Sequence, residues 1–265
     1  MTDHLLVEKT GAIATLTMNR PEARNALSLE MREALFQAMT DIETDDTVRC
    51  VVIKGAGDHF MAGGDVKSFN DYVKMTPDVR RQTFERRIHG LHPTMFALRR
   101  MNKPVIASVQ GAAAGFGLSL MMACDMVIAA DDAFFTLAYI NIATTPDGSG
   151  TFTLPRIVGL KKAMEIAMLG DRFSAEKAEA MGLINFVVPK DELATETTKL
   201  AERLASGPTL AIGRTKQLLN ASLGNSLESQ LAMEAENFAA CAASNDWVEG
   251  VTAFKEKRRP EYNGN

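Results

Sequence analysis

Two hydrophobic periods run along this chain, and the change from one to the other divides it. Short β-branched runs, Cys50-Val51-Val52-Ile53 and Val105-Ile106-Ala107-Ser108-Val109, are bounded by glycine or proline and read as strands buried on both faces. Residues 7–9 and 13–18 flank Thr10-Gly11 and predict a hairpin. Ser28 stands before the stripe Met31, Leu35, Met39 and Ile42, which predicts a capped helix ending near Glu43. Asp65 heads a polar helical stretch and is its expected cap, and a longer helix is predicted over 77–100. A helix at 118–123 and strands at 105–109, 126–129 and 133–136 follow. From residue 154 the period is almost wholly helical. Ser174 starts one helix and Gly182 ends it before a strand at 186–188; further helices are expected over 193–206, 208–221, 226–244 and 248–258. The pattern predicts an α/β core over 1–190 and a helical region over 191–265.

Composition narrows the function classes. The 265 residues are 46% hydrophobic and 23% charged, which is ordinary for a soluble globular chain with room for one large core. The net charge of −4 and the short, separated basic clusters argue against nucleic acid as a partner. Any anion these clusters bind is expected to be a small phosphate-bearing ligand. Cys50, Cys124 and Cys241 are odd in number, far apart and read as reduced thiols. The four histidines, His4, His59, His89 and His92, lack zinc-ligand spacing, so no metal site is expected. The N-terminal residues have neither signal-peptide nor transit-peptide character. The longest apolar stretch, 112–123, is broken by glycines and Ser119 and reads as a buried helix start rather than a membrane span. A cytoplasmic location follows as the expectation.

Two Gly/Ala-rich turns carry the candidate chemistry: His59-Phe60-Met61-Ala62-Gly63-Gly64-Asp65-Val66 and Gly111-Ala112-Ala113-Ala114-Gly115-Phe116-Gly117. Each follows an apolar strand run, and small residues there let a ligand approach the main chain. Two such turns can aim two N–H groups at one carbonyl oxygen, as in an oxyanion hole. Neither turn has the spacing of a phosphate-binding fingerprint.

Six segments in order resemble the crotonase (enoyl-CoA hydratase/isomerase) superfamily over nearly the whole chain. They are Asn19-Arg20-Pro21 with Asn25-Ala26-Leu27, Phe60-Met61-Ala62-Gly63-Gly64-Asp65, Lys103-Pro104-Val105-Ile106-Ala107, Gly115-Phe116-Gly117 with Cys124-Asp125, Leu154-Pro155-Arg156-Ile157-Val158-Gly159, and the run 249–258. The resemblance implies a spiral of ββα turns with a helical tail. It also implies assembly as a homotrimer or a dimer of trimers, and a substrate carried as a coenzyme A thioester with no permanently bound cofactor. It puts the oxyanion donors on the backbone of Gly64 and Phe116, where Phe116 replaces the usual glycine but keeps the N–H. It runs the CoA moiety along Arg24, Ala26, Ala62, Gly63, Gly64, Asp65, Val66, Lys67 and Gly115, with Phe254 and Lys257 supplied by a neighbouring subunit.

Carboxylates distinguish the reactions within this family. The two water-activating glutamates of its hydratases fall on Ser119 and Tyr139, neither an acid. Asp147, in Thr145-Pro146-Asp147-Gly148-Ser149-Gly150-Thr151, matches the single acid of family isomerases, with Ser149 and Thr151 near enough in sequence to orient it. A Pro-Asp-Gly turn has a purely structural use as well. One base suffices to move a double bond, so isomerisation with Asp147 as proton shuttle is the first reading. Enoyl-CoA hydration despite the missing glutamates is the second. A 4-chlorobenzoyl-CoA dehalogenase-like or thioester-hydrolase reaction ranks third, with Asp147 as nucleophile and His92 activating water. An acyl-CoA-binding protein without turnover remains as the non-enzymatic alternative. Met61, Met95, Met101, Met121 and Met122 are candidates for an adaptable acyl pocket, or for plain core.

Overall fold

The expected hairpin opens the fold. β1 (Leu5–Thr10) pairs antiparallel with β2 (Ile13–Met18), turning at Gly11, whose φ of +58° suits glycine. The computed structural model describes residues 3–264. Helix α1 (Leu29–Thr44) is capped as expected, the Met31 N–H donating to Ser28 Oγ at 3.1 Å. After β3 (Cys50–Gly55) come a short 3-10 turn, Val66–Phe69, and helices α2 (Asn70–Val73), α3 (Pro77–His89) and α4 (His92–Arg100). Strands β4 (Val105–Val109) and β5 (Ala112–Ala114) lead into α5 (Phe116–Ala123), and β6 (Met126–Ala130) and β7 (Phe134–Thr136) follow. Next are α6 (Gly150–Val158), α7 (Leu160–Leu169), β8 (Phe173–Ser174), α8 (Ala175–Ala180) and β9 (Phe186–Val188). The chain closes with α9 (Leu193–Ala205), α10 (Thr209–Ser222), α11 (Leu227–Ala242) and α12 (Asn245–Glu256).

Six strands form one sheet in the order β1-β2-β3-β4-β6-β9, parallel from β2 onward, and β5-β7-β8 form a second. Each pass of the chain lays one strand in the large sheet and the next in the small one, then a helix: β4-β5-α5, then β6-β7-α6. Isolated bridges Met61↔Ala113 and Leu27↔Gly64 continue the second layer into the earlier passes. This is the α/β spiral that the resemblance implies. The central strands β3, β4 and β6 are largely apolar because both of their faces are covered, whereas the edge strand β1 is mostly exposed. Val51, Ile53, Val105, Ala107, Val109, Val127 and Ala129 face the main core, while Cys50, Val52, Ile106, Ile128 and Ala130 face Leu193, Ala201 and Ala205 of α9. Burial raises the Cys50 thiol to about 12, so it is an inert core group.

Three local expectations are corrected. The helix predicted over 77–100 breaks after His89, because Pro93 fits only the first turn of a new helix. Residues 112–114 are a strand, not a helix start, since their backbone pairs with β7. Asp65 makes no side-chain cap to the turn that follows; its carboxylate pairs with Arg20 Nη2 at 3.1 Å instead.

The helical tail is tied to the core by an ion pair between a buried lysine and a half-buried aspartate. Lys216 Nζ on α10 lies 2.8 Å from Asp125 Oδ2, which also accepts the Val105 N–H at 2.8 Å. Burial pushes the Asp125 carboxyl above its ordinary value, and the Lys216 ammonium draws it back. Removing the lysine leaves the partly hydrated Asp125 carboxylate without its counter-charge, so Lys216→Met is expected to lose about 1–2 kcal/mol in urea unfolding, between the values for exposed and fully buried pairs. An unchanged midpoint would mean that Asp125 is neutral in the fold.

Candidate active site

The two Gly-rich turns meet side by side. The Met61 N–H donates to the Ala112 carbonyl and the Ala114 N–H to the Met61 carbonyl, each at 2.9 Å, which locks the first turn against β5. Gly63 (φ +100°) and Gly115 (φ +53°) then reverse the chain within van der Waals reach of each other; a Cβ on Gly115 would lie 3.6 Å from Gly63 Cα. Phe116 is the first residue of α5, so its N–H has no intrahelical acceptor and lies at the positive end of the helix. Among the described residues, neither this N–H nor that of Gly64 donates to another group.

Both turns line one cavity of about 740 Å³, together with Asp147, Tyr139 and His92. Asp147 is the only carboxylate among its lining residues. The Tyr139 hydroxyl donates to Asp147 Oδ1 at 2.5 Å. Ser119, wholly buried on α5, donates from Oγ to the Asp147 backbone carbonyl at 2.9 Å. Ser149 and Thr151 do not hold the carboxylate, contrary to expectation; Ser149 Oγ instead accepts from Thr153 at 3.4 Å. Gly148 (φ +56°) lets the loop lie flat on its neighbours. A Cβ there would come within 2.6 Å of the Phe116 ring, and one on Gly150 within 2.8 Å of Ser119 Oγ. The Phe116 ring therefore packs directly under the Asp147 loop, and the place of Ser119 has no room for a longer side chain.

Burial pushes the Asp147 carboxyl above its ordinary value, an effect opposed by the Tyr139 hydrogen bond and by the charge of His92. The Tyr139 phenol is driven well above its usual range, first by burial and then by the adjacent carboxylate, so it remains a donor. His92 also meets His89, their rings 5.1 Å apart and edge to face.

The remaining expected site residues divide. Ala62, Gly63, Gly64, Val66 and Gly115 line the cavity. Arg24, Ala26, Asp65, Lys67 and Lys257 are not among its lining residues, and Phe254, 87% exposed on α12, borders a separate cavity with Trp247. None of the five candidate methionines lines the site. All five are buried, and Met95 and Met122 also border a second cavity, which His92 lines as well. The sequence pointed to neither Phe69 nor Phe84 and offered Arg87 only as part of a short basic cluster; all three line the cavity. Phe69 and Phe84 meet edge to face at 5.0 Å, and the Arg87 guanidinium lies over Phe69 and Tyr72 while donating to the Tyr72 hydroxyl at 2.7 Å. The only local signal was a sparse set of apolar residues, Val79, Phe84 and Ile88, in an otherwise polar helix.

Comparison with known proteins bears on the family and the fold. The family model described as enoyl-CoA hydratase/isomerase matches residues 8–265. A protein of Escherichia coli named 1,2-epoxyphenylacetyl-CoA isomerase is 38% identical over 265 residues, covering 100% of both chains. A crotonyl-CoA hydratase of Syntrophomonas wolfei is 35% identical, covering 98% of each. The crystal structure of an enoyl-CoA hydratase from a Polaromonas species superposes with a TM-score of 0.91 at 36% identity, covering 98% of this chain and 99% of that one.

Proposed function

This chain belongs to the enoyl-CoA hydratase/isomerase family, and from its single cavity carboxylate we propose that it isomerises enoyl-CoA thioesters by a one-base proton shuttle. The thioester oxygen of a 3-enoyl-CoA accepts from the Gly64 and Phe116 N–H groups. Asp147 Oδ2 takes a proton from C2, and the electron pair left behind spreads as a dienolate whose charge rests on that oxygen. The proton returns from Asp147 to C4, leaving the double bond between C2 and C3. Nothing is oxidised and no water enters. A carboxyl held above its ordinary value is better matched to a weak carbon acid than a free aspartate would be. Coenzyme A arrives with the substrate, and the reading asks for no resident cofactor and no metal.

Against hydration stands the state of the two positions where a hydratase keeps its glutamates. Ser119 is sealed under Gly148 and Gly150, and Tyr139 is spent on Asp147. Against nucleophilic dehalogenation stands the lack of a tryptophan beside Asp147, since Trp247 is on α12. A second reading has one observation in its favour. Phe69, Phe84, Phe116 and Tyr139 all line the cavity, which suits a ring-bearing acyl group such as the epoxide in the name of the Escherichia coli relative.

A neighbouring subunit is part of the proposal. Leu219 on α10, Leu223 just after it, and Leu227 and Phe238 on α11 expose apolar side chains, as Phe254 does on α12. Burying them between copies gives the trimer, or pair of trimers, in which Phe254 and Lys257 reach the next subunit's CoA site alongside Arg24, Ala26 and Lys67. Light scattering is expected to give a multiple of three chains.

The deciding experiment offers 3-hexenoyl-CoA and 2-hexenoyl-CoA separately to the protein, and 1,2-epoxyphenylacetyl-CoA in a third reaction. Conversion of the first to the conjugated thioester should far outrun hydration of the second. The reverse order overturns the isomerase reading, and turnover of the epoxide alone selects the ring-bearing substrate. Tight binding with no turnover of any of the three would leave an acyl-CoA-binding protein.

A further inference from the structure

Asp147 holds two oxygens in different states. Oδ1 accepts the Tyr139 hydroxyl at 2.5 Å, whereas no other residue among those described donates a hydrogen bond to Oδ2. The loop beneath is fastened separately, through the Ser119 hydroxyl on the Asp147 carbonyl. Resting on the one-base reading above, we propose that Tyr139 is a positioning residue, whose hydroxyl fixes Oδ1 and commits Oδ2 as the oxygen that meets the carbon acid. A carboxylate free to rotate would offer either oxygen and would collect water on the other. A phenol at this distance stops the rotation and fills the water position. Its hydrogen bond also favours the charged form of Asp147, so that part of the effect of burial is cancelled and the base is available at a lower pH.

The other charged or titratable side chains lining the cavity are His92 on α4, Arg87 on α3 and Arg32 on α1. The charge of His92 acts on Asp147 in the same direction as the phenol, so the test must alter Tyr139 alone. Tyr139→Phe keeps the ring and its packing. The acid limb of kcat is expected to move to higher pH by at least about half a unit, with a loss of about threefold to tenfold below the limb. KM should stay within about twofold, because the phenol does not touch the thioester. Carboxyl 13C NMR of Asp147 should show the same upward shift in the free protein, whether or not 3-hexenoyl-CoA is the substrate. An equal loss of kcat at every pH with an unmoved Asp147 titration would overturn the proposal and leave Tyr139 as wall. Inactive wild type with a shifted titration would sink the isomerase reading while sparing the hydrogen-bond role.

Discussion

Asp147→Asn is expected to lower kcat for 3-hexenoyl-CoA by about 10³-fold while leaving KM within about twofold. The exchange is nearly isosteric. The amide oxygen still accepts the Tyr139 hydroxyl, and the Ser119 hydrogen bond goes to the backbone, so the loop keeps its place. What is lost is the ability to take a proton from C2 and return it at C4. The Gly64 and Phe116 N–H groups remain and should sustain residual enolisation above the reaction in water. Substrate exchange with deuterated solvent provides a second readout, since a shuttle that takes and returns protons also washes in label. A variant that turned over normally would reduce Pro146-Asp147-Gly148 to a turn, and one that failed to bind acyl-CoA would point to a collapsed loop rather than a missing base.

The parts of the fold that could be read in the sequence are those governed by neighbours along the chain. Buried strands declared themselves as apolar runs at 50–53 and 105–109, and Ser28 and Ser174 lie at helix starts because a hydroxyl reaches an amide three residues on. The two Gly-rich turns were visible for the same reason, since positive φ at Gly63 and Gly115 is a local demand. The remainder depends on residues far apart in sequence. Asp65 has the composition of a cap, yet Arg20, forty-five positions earlier, takes its carboxylate. Ser149 and Thr151 are nearer to Asp147 in sequence than Ser119 is, yet Ser119 on α5 holds its carbonyl. The wall of Phe69, Phe84 and Arg87 has almost no local signature, because α3 is polar and buries no residue of its own. Pro93 is the exception: it carried the break between α3 and α4 in plain view, against a helical period that runs through it.

The same distinction makes Gly117 the most informative position for the oxyanion donors, which as backbone atoms cannot be deleted one by one. Its φ is not positive, and nothing in its local sequence forbids alanine. In the fold, however, an added Cβ would sit 2.3 Å from the Met61 carbonyl oxygen and 2.9 Å from Met61 Cβ. That carbonyl is the acceptor for Ala114, one of the hydrogen bonds that hold the two Gly-rich turns together. Gly117→Ala must therefore drive the start of α5 away from the Met61 strand, carrying the Phe116 N–H off its aim while leaving Asp147 chemically intact. Losing one donor of an oxyanion hole costs about 10²- to 10³-fold in kcat, and misalignment of both turns should bring the loss to the upper end of that range. The expected signature differs from that of Asp147→Asn. Solvent deuterium exchange falls with isomerisation in both variants, so the analogue decides: a stable enolate analogue of the thioester should bind Gly117→Ala more weakly in proportion to the lost rate, whereas Asp147→Asn should bind it nearly as wild type does. Full activity in Gly117→Ala would mean that the Phe116 N–H does not hold the thioester oxygen.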